Sequence, residues 1–177
     1  MAHLRVALLQ MAGCGTDRRA GIEKGEAFCR RARAGGADIA LFPELWSTGM
    51  TYFDPAREGS RERWRAEAVG RDDPYFTHFR ELARELRMAV ALTYLEEWEG
   101  GPRNSVSLIN RRGRVVLTYA KVHTCEFDVE SALTPGDGFP VCNIDDILAS
   151  KRAANRRKDR ESLARLTTFR DWLRGQR

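Results

Sequence analysis

Two charged residues stand at the ends of apolar runs, where a side chain is well placed to do chemistry. Glu44 follows Phe42-Pro43, and Pro43 ends the strand that the preceding run would form. A carboxylate there, just before an irregular loop, is positioned to face a pocket, although the same place also suits a solvated turn glutamate. Lys121 closes the run Val115–Ala120. A lysine at a strand end is ordinarily a solvated edge charge. In an α/β layer, however, functional groups gather where parallel strands end. Glu44 and Lys121 are therefore expected to converge at one end of a shared sheet, in salt-bridge range or one water apart. Such a pair offers a carboxylate and a fixed cation in one place, each lowering the other's cost of partial burial.

The elements that must position them are legible in the pattern. His3 to Met11 is rich in Leu and Val and reads as a buried strand. Thr16 or Asp17 can cap a helix running to about Ala34, with Ile22, Gly25, Cys29 and Ala32 on one face and Gly35-Gly36 as its stop. Asp38 to Phe42 is a second strand. Helical patterns follow around Arg61–Val69 and Pro74–Arg87, then a third strand from Met88 to Leu95. Ser105–Asn110 and Arg114–Tyr119 flank Arg111-Arg112-Gly113, which reads as a hairpin turn. Strands and helices alternate and a hairpin follows, so the class is α/β. From Asp145 the pattern turns helical, with Leu163, Leu166, Phe169 and Leu173 as an apolar stripe.

The flanking sequences carry more than the two charges do. Glu44 stands in DIALFPELWSTGM, and Lys121 in RNSVSLINRRGRVVLTYAKVH. Asn104, Ser105, Gly113, Tyr119, Lys121 and His123, the opening strand ending in Gln10, Gly35-Gly36-Ala37-Asp38 and Phe42-Pro43-Glu44 follow one another in the order seen in the nitrilase (carbon-nitrogen hydrolase) superfamily. The chain resembles that family over about residues 3–141. The resemblance implies an α-β-β-α sandwich and hydrolysis of small amides, carbamoyl compounds or nitriles through a Glu-Lys-Cys triad. It implies that Glu44 is the general base, and that Lys121 stabilises the negative charge developing on the substrate. Many members carry a second glutamate after the lysine that orients the others. Glu130, in DVESALTPGDGF, resembles it, with Glu126 and Asp128 as further acids nearby.

The third member of the triad has no counterpart. The family's cysteine sits in an I-C-Y-D or M-C-W-D type context, and no such motif occurs in the 177 residues. Cys142 follows GFPV and precedes Asn-Ile-Asp, and it lies closer to Lys121 than the family places its nucleophile. Cys125 reads as a packing thiol. The expected activity is accordingly impaired or absent. The alternative is a catalytically dead remnant that serves as an interaction module.

After Val141 the character of the chain changes. About residues 145–175 resemble the C-terminal helices of small nucleotidyltransferase-like proteins, through Asp146, Ile147, Ser150, Lys151, Ala153, Ala154, Arg156, Lys158, Asp159 and Leu163. The G-S and paired aspartates of those enzymes are absent, so the resemblance implies a helical cap and not nucleotide transfer. The expected organisation is a nitrilase-like domain over 1–141 and a basic helical tail over 142–177. Missing later strands would leave an uncovered apolar sheet face, which makes a homo-oligomer the expected partner state besides a small amide or nitrile substrate.

Composition sets the outer bounds. The chain is 42% hydrophobic and 31% charged, which suits one globular domain with a small appendage. Its net charge of +5 is unevenly placed. Residues 151–177 hold ten Lys/Arg against three Asp/Glu, leaving 20 against 22 for residues 1–150. The basic tail is read first as a solvated helix face, and only secondarily as a nucleic-acid surface. No apolar run is long enough to span a membrane, and the opening MAHLRVALLQ lacks the basic region and cleavage site of a signal peptide. Four widely spaced cysteines without a C-x-x-C pair read as reduced thiols of a cytoplasmic protein. His123 with Cys125 is the only close pair of metal-ligand types, so neither metal nor cofactor is expected.

Overall fold

The structure is a computed structural model, and it describes residues 4–125, 129–140, 148, 152 and 157–175. Two compact units are distinguished: residues 5–139, and a second unit made of residues 1–4 and 140–177.

The first unit is mixed α/β, as the alternation of patterns predicts. Its order is β1 (Val6–Leu8), α1 (Arg18–Ala34), β2 (Ile39–Leu41), α2 (Ser60–Arg65), α3 (Pro74–Leu86), β3 (Ala89–Glu96), β4 (Arg103–Ile109) and β5 (Val115–Ala120). The strands form one sheet in the order β1-β2-β3-β4-β5. β1, β2 and β3 run parallel, and β4 is antiparallel to both β3 and β5. The carboxyl ends of β2 and β5 therefore lie at the same edge.

Local chemistry sets the helix limits. The Asp17 side chain accepts from the Ala20 amide at 2.9 Å and starts α1, and Gly36 adopts φ +79° just past its end. Asp73 caps α3 through the Tyr75 amide at 2.7 Å, with Pro74 in the first turn. Helices α1 and α3 lay Cys29, Phe76, Phe79 and Leu82 against Ala40, Val90, Leu92, Tyr94 and Ile109 of the sheet. A second apolar cluster of Leu45, Phe53, Trp64, Leu95, Ala132 and Leu133 holds the loops beyond the strand ends.

Three expectations are corrected. The first strand is shorter than His3–Met11 and is not buried: Val6 is 48% and Leu8 63% exposed. β1 is an edge strand, and α1 and α3 cover the face opposite to these two side chains. The pattern at Arg61–Val69 yields only the six-residue α2, and Val69 leaves it to bridge Glu96 of β3. In the second unit the C-terminal helix spans Arg157–Gly175, yet Phe169 is 50% exposed and stacks on Trp172, also exposed, instead of packing inward. Residues three apart are neighbours on a helix surface, so the two rings cover each other there. Cys142 and the start of the helical pattern at Asp145 lie outside the described residues.

Gly25 sits where α1 crosses the aromatic core. A Cβ there would lie 2.8 Å from the Phe42 ring, 3.0 Å from Phe79 and 3.1 Å from the Trp46 indole nitrogen. Those rings interlock, with Phe42 and Phe79 edge to face at 5.0 Å, so none yields alone. Gly25→Ala is expected to destabilise the unit by about 1–3 kcal/mol despite the better helix propensity of alanine. Urea unfolding followed by circular dichroism checks this, and a gain in stability would refute the crowding argument.

Candidate active site

Glu44 leaves β2 through a loop that is pinned to β3. The Thr93 hydroxyl donates to the Pro43 carbonyl and accepts from the Trp46 amide at 3.3 Å, while the Ser47 hydroxyl accepts from the Leu95 amide at 2.9 Å. Trp46 donates its indole N–H to the Gly21 carbonyl at 3.1 Å, tying the loop to α1 as well. Leu45 takes a left-handed conformation at φ 48° and is fully buried. Its side chain anchors the second apolar cluster, and the backbone reversal leaves the neighbouring Glu44 side chain at the surface of the sheet end.

Lys121 arrives from β5. Its amide donates to the Asn104 carbonyl at 2.8 Å, and its carbonyl accepts from the Gly136 amide at 2.9 Å. The ammonium then stands between two carboxylates, 2.7 Å from Glu130 Oε1 and 3.5 Å from Glu44 Oε1. Asn104 Nδ2 donates to Glu44 Oε1 at 2.6 Å. Among the described residues Glu44 Oε2 takes no hydrogen bond, and the Glu44 side chain is 43% exposed. Glu130 is more enclosed, at 13%, and its Oε2 accepts from the Cys125 amide at 2.9 Å. Tyr52 completes the group, its hydroxyl 3.4 Å from Glu130 Oε1. A cavity of about 300 Å³ opens beside them, lined by Glu44, Lys121, Asn104, Tyr119, Thr93 and Phe42 among others.

The electrostatics follow from this sharing. The hydrogen bond to Glu130, above all, holds the Lys121 ammonium above its ordinary range, against desolvation, with both carboxylates adding attraction. Burial pushes the Glu130 carboxyl up, but the hydrogen bonds from Lys121 and from Cys125 outweigh it and leave the group below its ordinary range. Burial, then the Glu130 and Glu44 charges, raise the Tyr52 phenol to about 12.

The structure thus brings together Glu44, Lys121 and Glu130, the three residues singled out in the sequence. Cys125 is corrected: it is exposed, not a packing thiol, and its amide donates to Glu130. Cys29 is the packing thiol, fully buried on α1. Sequence reasoning assigned no part to Tyr52, which has no local signal, nor to the Asn104 side chain. The latter's signal was its fixed place before Ser105 in the β4 pattern.

With the geometry established, the affiliation follows. The chain belongs to the carbon-nitrogen hydrolase family, whose profile matches residues 5–153. It is 29% identical over 140 residues to the N-carbamoylputrescine amidase of Arabidopsis thaliana, covering 77% of this chain and 45% of that protein. It is 27% identical over 124 residues to an arylacetone-specific nitrilase of Alcaligenes faecalis, covering 67% and 35%. The chain therefore spans about half the length, or less, of these curated relatives. Its fold is similar to that of an amidase from Nesterenkonia sp., with a TM-score of 0.60 at 22% identity over 86% of this chain and 60% of that one. A mutant of the Nesterenkonia AN1 amidase, of the nitrilase superfamily, gives 0.64 at 22% over 87% and 62%.

Glu130→Gln tests the sharing of the cation. A carboxyl held low contributes stability that is full above its ordinary pKa and lost as pH falls through the folded value. A lysine held high contributes stability that is full below its ordinary pKa and lost as pH rises through the folded value. Glu130→Gln should therefore cost on the order of 1 kcal/mol near neutrality, and the difference should close as pH falls through the folded value of the carboxyl and as it rises through the folded value of the lysine. Thermal unfolding of both proteins across that range is the measurement. A difference independent of pH would mean that the ion pair contributes nothing.

Proposed function

We propose that the Glu44–Lys121–Glu130 cluster is the acid–base and charge-stabilising part of a carbon-nitrogen hydrolase site for small amides, carbamoyl compounds or nitriles. The 177-residue chain turns such substrates over poorly or not at all, because the family's nucleophile motif is absent from its sequence. The observation that carries the reading is one lysine ammonium held between two carboxylates beside a ligand-sized cavity.

The roles follow from the contacts. Glu44 is the base, because its free Oε2 can take a proton from a thiol or a water. Lys121 is the cation that meets negative charge developing on the substrate oxygen or nitrogen, worth roughly 3 kcal/mol in such a role. Glu130 is a positioning residue that fixes the Lys121 ammonium. In the amide reaction a thiol gives its proton to Glu44 and its sulfur bonds to the carbonyl carbon. The tetrahedral adduct then collapses, and the amine leaves with that proton. Water attacks the thioester with Glu44 again as base, and releases the acid and the thiol. In one Nesterenkonia AN1 amidase structure the acetamide moiety of fluoroacetamide is covalently added at the active site cysteine. Two thiols of this chain are candidates for that part. Cys125 is exposed and donates its amide to Glu130 of the cluster, and Cys142 falls inside the stretch matched by the family profile.

Ammonia release from acetamide, acrylamide and N-carbamoylputrescine is expected to fall on the order of 10⁴-fold or more below that of an intact family enzyme, the scale of losing a nucleophile. Turnover abolished by Cys142→Ala or by Cys125→Ala would overturn the impairment and name the nucleophile. Binding is tested separately: the chain should show saturation-transfer NMR contact with butyramide, lost in Glu44→Ala and Lys121→Ala. No contact, or contact indifferent to both changes, would refute the site.

The same reading includes self-association. The exposed Val6 and Leu8 on edge strand β1 leave an apolar strip that a second copy would cover. Sedimentation velocity should report a dimer that Leu8→Lys converts to monomer, and a monomeric wild-type chain would remove this part of the reading.

A further inference from the structure

At the other end of β4 and β5 from Lys121 lies a cavity of about 580 Å³ lined by Arg33, Arg84, Arg87, Arg111 and Arg112. We propose that it binds a small anion carrying two or more phosphate groups, and that it is a site separate from the one at Glu44.

The five residues come from three places in the sequence. Arg33 is in the last turn of α1, Arg84 and Arg87 are at the end of α3, and Arg111 and Arg112 form the tip of the β4–β5 hairpin. Among the described residues no carboxylate bonds to any of their guanidinium groups. Other arginines of the same unit behave differently. Arg18 pairs with Glu67 and Asp73, Arg19 with Glu23, and Arg30 with Glu26 and Glu85. Glu85, beside Arg84 on α3, is already engaged by Arg30, and Asp38, ahead of β2, accepts from the Arg5 amide. Residues 5–139 carry 20 basic against 20 acidic side chains, so this concentration of cations without a carboxylate partner among the described residues runs against the balance of its own unit.

The arrangement is also fixed in place. Gly113, at φ +73°, brings the hairpin so close to α3 that a Cβ would lie 2.6 Å from the Arg80 carbonyl. Arg80 Nε donates to the Gly113 carbonyl at 3.1 Å. Arg87 itself takes a left-handed conformation, φ 49°, where α3 ends. These contacts hold like charges together that would otherwise separate. Helix C-termini favour cations, which accounts for Arg33, Arg84 and Arg87 but not for the two arginines of the hairpin.

The chemistry of the lining selects the ligand. Among the described residues it contains no aromatic or aliphatic side chain, so a base or an acyl chain finds no seat there. Guanidinium forks recognise phosphate oxygens bidentately. One phosphate carries about −1.5 to −2 charges, so about two or three of them match five arginines. The cavity has the size of a small-molecule site. A free oligophosphate and the phosphate tail of a nucleotide present the same group here.

The experiment is calorimetric titration of the full chain with tripolyphosphate, ATP and orthophosphate at about 50 mM salt, where charge screening is weak. Saturable one-to-one binding of tripolyphosphate is expected, with orthophosphate weaker by tenfold or more, about the worth of one charged hydrogen bond. ATP equal to tripolyphosphate assigns the tail alone; tighter ATP assigns a nucleotide. Arg111→Glu with Arg112→Glu, both exposed on the turn, should abolish binding at unchanged circular dichroism. Arg84→Gln should weaken it about tenfold. Neutralising Arg156, Arg157 and Lys158 in the basic tail should leave it intact. The proposal is overturned by absence of saturable binding, by binding that survives the hairpin reversal, by binding lost only with the tail, or by duplex RNA binding that tripolyphosphate does not displace.

Discussion

The site end of this fold depends on one shared cation. Glu44 and Glu130 converge from separate parts of the chain, and two carboxylates in one place repel unless something lies between them. Lys121 does, but unequally: it sits 2.7 Å from the enclosed Glu130 and 3.5 Å from the more exposed Glu44. Attraction between unit charges falls with distance and with solvent access, from about 4 kcal/mol at 4 Å in a protein-like medium to about 1 in water. Both factors favour Glu130. Glu44 is left leaning on Asn104, and among the described residues its Oε2 takes no hydrogen bond. The difference between the two, one carboxylate close on the lysine and enclosed, the other farther and more exposed, is one of position and not of residue type.

Holding Glu44 there stores strain nearby. Leu45 at φ 48° and Met50 at φ 59° are both left-handed and neither is glycine. Such residues cost about 1–2 kcal/mol each, and they persist only where the surroundings over-determine them. Here the surroundings are visible. Leu45 is wholly buried, Thr93 and Ser47 bind the loop to β3, and Trp46 binds it to α1. The strained turn is thus bolted to two neighbouring elements, so the carboxylate is presented by a rigid part of the sheet edge.

What could be read from the sequence divides along the same physical line. Glu44, Lys121 and Glu130 each stand in a local pattern tied to a strand end or a turn, and the α/β order and the hairpin turn at Gly113 are local as well. Features that depend on which face a neighbour covers were not legible. The apolar run at Val6–Leu8 looks like a buried strand, yet its burial is decided by which side of the sheet α1 and α3 choose. Cys125 is a small apolar residue type, yet it is exposed in the fold while Cys29 is buried. The five arginines of the hairpin cavity are scattered over α1, α3 and a turn, and only the tertiary fold assembles them.

The two ends of the sheet are electrostatically independent. β4 spans Arg103–Ile109, seven residues, so its ends lie roughly 20 Å apart at about 3.4 Å per residue. Charges in solvent are screened within about 8 Å at physiological ionic strength. The bare arginines at the hairpin therefore cannot tune Lys121 or Glu44 through space. Any influence of one end on the other has to pass along the paired backbones of β4 and β5, whose register shifts between Leu108 and Ile109. That irregularity sits next to the hairpin. From Ser105 to Leu108 the ladder toward Lys121 is regular, so the one irregularity in this pairing lies at the hairpin end and not at the carboxylates.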